Sequence, residues 1–270
     1  MTSHGPGHTL FTAAAADKYD RYVGRYSPAL ARALVDLAAA RSGERALDVG
    51  CGPGALTTEL AALLGAQNVA AVDPSPSFVE ACRARNPEVD VREASAEKLP
   101  FEDDSFDHVL SQLVLNFMTD AAAGVAEMSR VSRPGGRLTS TVWDYRGEMT
   151  MLVAFWESVA ATDPAGSARD ERLTMRYGTP DELQQLWSEG GLQDIALSPL
   201  VVTAKYSGFE DLWEPFDPGV GPVGAYMAST SAEQRARVRE EFRRRLEVGD
   251  EPFQLTARAW AVTGVVPGGR

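Results

Sequence analysis

The chain is 270 residues long, room for one large α/β domain or for a core domain with a smaller module. Apolar residues make up 44% of it and charged residues 24%, which excludes disordered and fibrous classes. With 26 basic against 38 acidic side chains the net charge is −12, a surface that repels nucleic-acid backbones and anionic lipid.

Residues 1–10 read as a tail lacking the basic start and apolar stretch of a signal peptide. Residues 13–26 are aromatic-rich and weakly helical. Ser27-Pro28 then forms an N-cap followed by proline at the first helical position, and Leu30, Ala33, Leu34, Leu37 and Ala38 recur at helical spacing before Gly43. From there the periodicities alternate. Strands are predicted at 45–49, 69–72, 89–93, 106–112 and 138–143, the last after the turn Pro134-Gly135-Gly136. Helices are predicted at 56–64, 76–86 and 121–129. Such alternation indicates βαβ units and a parallel sheet. Further on, residues 151–160 read as a helix. Thr179-Pro180-Asp181-Glu182 is a capping box before Leu183, Leu186 and Trp187, with Gly190-Gly191 as the stop. Residues 195–206 and 253–266 suit extended edge strands. Between them lies 208–250, with Phe209, Trp213, Phe216 and Tyr226 followed by a charged helix at 232–247 that Ser231 opens. It carries too few aliphatic residues to close its own core, so we read it as a helical cap inserted into a domain of residues 27–207 and 251–270. No apolar run is long enough to span a bilayer.

The most informative stretch is Asp48-Val49-Gly50-Cys51-Gly52-Pro53-Gly54, directly after one strand and before one helix. Glycines there permit positive φ and let a ligand approach the backbone, and the helix N-terminus offers free N–H groups. Tight strand-to-helix turns also use glycine for packing alone. Asp73 ends the next strand roughly twenty residues past the loop, the spacing at which a carboxylate accepts from both ribose hydroxyls of a bound nucleoside. The spacing G-x-G-x-G differs from the dinucleotide pattern, and Asp48 disfavours a pyrophosphate beside it. A carboxylate there suits a ligand with a cationic end, such as the ammonium and sulfonium of S-adenosylmethionine. No phosphate-binding P-loop sequence is present.

With these residues the chain resembles the class I S-adenosylmethionine-dependent methyltransferases, in particular the small-molecule, type 11-like subgroup. Five landmarks occur in order: the loop from Leu47 to Gly54; Asp73; Glu93-Ala94-Ser95-Ala96-Glu97-Lys98-Leu99-Pro100-Phe101; Ser105-Phe106-Asp107 leading to Asn116; and Arg133-Pro134-Gly135-Gly136. The resemblance implies a three-layer Rossmann-like sandwich with a mostly parallel seven-stranded sheet, an antiparallel final strand and a helical cap. It implies S-adenosyl-L-methionine as cofactor and a small-molecule methyl acceptor. Asp48, Gly50, Cys51, Gly52 and Gly54 would line the methionyl end, with Asp73 and Pro74 at the ribose. Ser95, Ala96 and Glu97 would meet adenine, Ser95 standing where the family carries an aspartate. Leu113 falls where a backbone carbonyl meets the ammonium. Residues 1–26 would form a tail and lid, in which Tyr19 and Tyr22 cover the cofactor and Arg25 pairs with its carboxylate; packing of the tyrosines onto the core is the alternative.

Methyl transfer from a sulfonium needs alignment and exclusion of water, and a base only when the nucleophile holds a proton of high pKa. Candidate catalytic groups are His108, by its intrinsic pKa, and Asn116, Asp144 and Tyr145, at strand ends where ligands bind in open α/β sheets. Cys51 and Cys82 are too few for a disulfide framework, which fits a reducing compartment, and neither has a partner at metal-ligand spacing, so no metal site is expected. The sequence suits a cytoplasmic monomer or homodimer with no nucleic-acid or membrane partner. Two other readings are a non-catalytic S-adenosylmethionine-binding sensor or partner subunit, and a nicotinamide-dependent dehydrogenase, which Asp48 and the glycine spacing disfavour.

Overall fold

The computed structural model describes residues 20–216 and 221–268. Seven strands form one sheet: β1 Ala46–Val49, β2 Val69–Asp73, β3 Asp90–Glu93, β4 Phe106–Gln112, β5 Ser132–Trp143, β6 Gln193–Tyr206 and β7 Phe253–Val265. Their order is 3-2-1-4-5-7-6, with β1 to β5 parallel and β7 antiparallel to both β5 and β6.

The helices are α1 Ser27–Ala38, α2 Ala55–Leu64, α3 Pro76–Arg85, α4 Ala121–Val131, α5 Thr150–Thr162, α6 Glu171–Thr174, α7 Pro180–Glu189, α8 Phe209–Trp213, α9 Gly221–Ala228 and α10 Ala232–Leu246. Alternate strand residues feed two separate cores, as a pleated strand buried on both faces requires. Ala46, Ala71 and Leu110 join Leu34, Leu60 and Val79 of α1 to α3. Leu47, Val72 and Val109 join Val125, Phe155 and Leu183 of α4, α5 and α7 on the other face. These are the three layers. Local chemistry behaves as read: Thr179 and Glu182 form the reciprocal capping box of α7, and Ser231, at the N-cap of α10, accepts from the Gln234 N–H.

Two expectations are corrected. β7 is not an edge strand; it lies between β5 and β6, and its residues Ala257, Ala259, Ala261 and Val262 are fully buried. The Pro134-Gly135-Gly136 segment falls inside β5, where the register against β4 shifts between Phe106 and His108. The short helix α6 had no periodicity to announce it.

Phe209, Trp213, Phe216 and Phe242 pack on one another and on Phe155 of α5, with Phe155–Phe216 centroids 5.0 Å apart. They belong to the same hydrophobic cluster as the sheet residues Leu47 and Val109. No helix among the described residues is long and apolar enough to cross a membrane.

Candidate functional site

The sheet order reverses beside β1, whose neighbours are β2 and β4, and the crevice at the carboxyl ends of such strands is where open α/β sheets bind ligands. A cavity of about 680 Å³ lies there, lined by Asp48, Gly50, Cys51 and Gly52 at the end of β1 and beyond it, Asp73 and Pro74 at the end of β2, and Gln112 to Val114 at the end of β4. That volume falls within the roughly 300–1,000 Å³ of small-molecule sites.

The loop is pinned before it turns. The N–H groups of Gly50 and Cys51 both donate to the Val72 carbonyl, at 2.8 and 2.9 Å. Gly50, Gly52 and Gly54 all have positive φ, but their roles differ. A Cβ on Gly50 would strike Val114 at 2.5 Å, so that glycine lets β4's loop close over the turn. A Cβ on Gly52 would meet nothing within 4 Å, leaving its backbone open to the cavity. A Cβ on Gly54 would meet Asn86, just past α3, and Cys82 of α3, at 2.6 and 2.9 Å; Gly54 does not line the cavity and packs against that helix.

Asp73 closes the turn. Its Oδ2 accepts from the Gly52 N–H at 2.9 Å and its Oδ1 from the Ser75 N–H at 2.8 Å, which holds the carboxylate at the cavity rim. Asp48 is fully buried: one oxygen accepts from the Thr57 hydroxyl at 2.6 Å, and the other has no partner among the described residues. Burial pushes its carboxyl up to about 8, against the Thr57 bond, which favours the charged form. Leu113 holds φ 64° at the end of β4, with its N–H donated to Thr141. A left-handed leucine costs on the order of 1–3 kcal/mol and persists only where its surroundings over-determine it.

Four buried polar atoms of cavity-lining residues have no partner among the described residues: Asp48 Oδ1, Gln112 Oε1, Asn116 Oδ1 and the Tyr22 hydroxyl. Native proteins satisfy most buried polar groups, so these four are free to take a partner from a ligand or water. The open Gly52 backbone and the unpaired Asp48 oxygen fit a nucleoside ligand with a cationic tail.

Beyond the loop the walls are apolar and aromatic, with Val23, Trp143, Tyr145, Leu152 and Met175. Asn116 Nδ2 donates to the Tyr145 hydroxyl and to Met175 Sδ, each at 3.4 Å. Glu171, at the start of α6, is 7% exposed and lines the same wall. Its Oε2 accepts from the Trp156 indole N–H at 2.9 Å, and burial pushes its carboxyl up to about 7.

Several predicted site residues stand elsewhere. His108 sits near the start of β4, paired in register with Ala46 at the start of β1 and bonded to Glu44 at 2.9 Å, at the opposite end of the strands from the cavity. Asp144 is taken by Arg258, at 2.9 Å to Nε and 2.5 Å to Nη2, and does not line the cavity. Arg25 is also outside: its guanidinium grips the Asp211 carboxylate with both Nη atoms, one bond at 3.0 Å, donates to the Lys205 carbonyl at 3.1 Å and lies over the Tyr206 ring. Ser95, Ala96 and Glu97 do not line the cavity. The Ser95 hydroxyl donates to Glu97, whose carboxylate accepts from the Thr119 and Asp120 N–H groups and so braces the loop after β4. Tyr22 lines the cavity; Tyr19 lies outside the described residues. Phe209, Trp213, Phe216 and Tyr226 pack internally, and only Gly221 and Pro222 of the described insertion reach the cavity. Gln112, Glu171, Met175 and Arg176 were not anticipated; no local motif marks them. No group of three or more potential metal ligands occurs among the described residues.

Comparison with known proteins agrees with this fold. The sequence model described as a methyltransferase domain matches residues 47–140. An uncharacterized methyltransferase of Mycobacterium tuberculosis is 36% identical over 208 residues, 76% of this chain and 81% of that protein. A demethylmenaquinone methyltransferase of Beutenbergia cavernae is 40% identical over 107 residues, 40% of this chain and 44% of that one. Among solved structures, the YcgJ protein of Bacillus subtilis shares the fold at a TM-score of 0.57 and 19% identity, over 90% of this chain and 99% of that one. Phosphoethanolamine N-methyltransferase 2 of Haemonchus contortus, solved with S-adenosyl-L-methionine, does so at 0.59 and 18%, over 97% and 58%. The chain belongs to the S-adenosylmethionine-dependent methyltransferase family.

Proposed function

We propose that this protein methylates a small, partly apolar or aromatic molecule, in the cytoplasm, with residues 208–250 acting as a cap over the acceptor side. The observation that carries the reading is one cavity with two kinds of lining: the polar turn of Asp48, Gly52 and Asp73, and the aromatic and apolar Tyr22, Trp143, Tyr145 and Leu152. When bound, S-adenosylmethionine supplies a sulfonium whose methyl group is open to in-line displacement. The residues of this chain hold it and exclude water. Asp48 would receive the ammonium, the Gly52 backbone would meet the methionyl chain and Asp73 would accept from the ribose hydroxyls. The bound cation would favour the ionised form of Asp48 against its burial, and a hydrogen bond to a charged group contributes about 1.5–3 kcal/mol. The aromatic wall dries the reacting end, where water would compete and disperse charge. The acidic net charge argues against a nucleic-acid acceptor. The test is incubation with S-adenosylmethionine and a mixed metabolite extract, followed by mass spectrometry. Formation of S-adenosylhomocysteine together with a product heavier by one methylene supports the reading. Binding without turnover on any fraction leaves a sensor instead.

A further inference from the structure

Resting on that reading, we propose that the methyl acceptor presents an amine, and that Glu171 is the counter-ion that selects it, with Asn116 and Tyr22 completing its seat. Three features converge on this. Glu171 is nearly buried, its carboxylate is held by the Trp156 indole through one oxygen, and the residue lines the acceptor side of the cavity. A carboxylate in such a place is costly unless a cation or donor meets it. Asn116 lines the same cavity and has an unpaired buried Oδ1, its Nδ2 already committed to Tyr145 and Met175, so a partner for the oxygen must be a donor. Tyr22, 6% exposed, adds a hydroxyl without a partner among the described residues.

The seat therefore offers acceptors to a group rich in N–H. A hydroxyl carries one hydrogen and answers one of them; an ammonium answers two or three and matches the charge. The walls agree, because Trp143, Tyr145 and Tyr22 are rings whose faces attract cations. An anionic acceptor meets the opposite conditions. Asp20, Asp48, Asp73 and Glu171 line the cavity against the single described guanidinium of Arg176, which donates to the Met118 carbonyl at 3.1 Å.

The experiment uses three probes on one skeleton: 2-phenylethylamine, 2-phenylethanol and phenylacetate. Each is titrated calorimetrically into the full chain saturated with S-adenosylhomocysteine. The amine is expected to bind at least tenfold tighter than the alcohol, and phenylacetate weakest. Glu171→Gln should remove that tenfold advantage while the alcohol and S-adenosylhomocysteine each stay within twofold, which also shows that the variant is folded. Glu171→Asp should restore part of the preference. An amine that binds no tighter than the alcohol, including no binding by either, overturns the inference, as does a Gln variant that weakens both alike. Those results, with S-adenosylhomocysteine still bound, leave the cofactor site standing; loss of S-adenosylhomocysteine binding by the unaltered protein sinks both.

Discussion

The Gly52 N–H donates to the Asp73 carboxylate at 2.9 Å, so the glycine turn after β1 and the acidic end of β2 are one hydrogen-bonded unit. The bond fixes the carboxylate at the edge of the cavity while the Gly52 backbone stays uncovered. Removing the carboxylate takes away both the brace and the proposed ribose acceptor. Asp73→Ala should weaken S-adenosylhomocysteine binding by about 1.5–3 kcal/mol, roughly ten- to a hundredfold, since bonds to a charged acceptor are lost. Calorimetric affinity within twofold of the unaltered protein would place the ribose elsewhere.

The glycines at 52 and 54 should fail in opposite ways. Gly52→Val puts a branched side chain into open cavity space, where no protein atom lies within 4 Å. It should cost S-adenosylhomocysteine affinity a hundredfold or more, with only about 1–2 kcal/mol of stability lost to the left-handed backbone. Gly54→Ala meets Cys82 Sγ at 2.9 Å and Cys82 Cα at 3.3 Å. It should lower the melting temperature while the folded protein binds within a few-fold of normal. Thermal melts paired with titrations separate the two, and equal effects would contradict the division of roles.

Asp48 links the site to pH. A carboxyl with an ordinary value of 3.8 ionises early in the unfolded chain, whereas burial keeps it protonated in the folded one until about 8. Between those values the folded state binds more protons, so this residue lowers stability as pH rises through the window. Glu171, raised from 4.5 to about 7, acts with the same sign. Asp48→Asn should therefore melt higher than the unaltered protein at pH 8, by about 2–4 °C for each kcal/mol recovered in a chain near this size, with a smaller gap at pH 5. The same variant should bind S-adenosylhomocysteine at least tenfold more weakly, yet bind 5′-methylthioadenosine, which lacks the ammonium, within twofold. Equal losses for both ligands would mean that Asp48 does not hold the amino-acid tail.

Arg25 is a structural residue in this account. Its partner Asp211 is held at about 2, chiefly by the hydrogen bond from Arg25, so the pair stabilises the fold above the ordinary aspartate value of 3.8 and loses that contribution as pH falls toward 2. Arg25→Ala should destabilise the protein by about 1–2 kcal/mol at neutral pH, through lost packing on Tyr206 as well as the lost pair. Binding of S-adenosylhomocysteine should stay within about twofold. A large loss of affinity at unchanged melting temperature would return Arg25 to the site.

What could be read from the amino acids alone is what short-range chemistry decides. The glycine turn, Asp73 at the end of β2 and the Thr179 capping box each declare themselves within a few residues. Placement that depends on distant partners does not. Arg25 has the right group for a ligand carboxylate, but Asp211, far along the chain, takes it first. β7 has an edge strand's length, and only its pairing with both β5 and β6 makes it internal. His108 is an imidazole at the wrong end of its strand. Glu171 shows the converse: in sequence it is one more acidic residue in a polar stretch, and it becomes distinctive only where the fold buries it against Trp156.

The proposed activity requires the cavity at the ends of β1, β2 and β4 to hold an adenosyl ligand with a charged tail. Calorimetric titration of the full chain with S-adenosylhomocysteine, and in parallel with NADH, tests this most directly. One-to-one binding of S-adenosylhomocysteine and none of NADH is the predicted result. No heat from S-adenosylhomocysteine, or tighter binding of NADH, would contradict it.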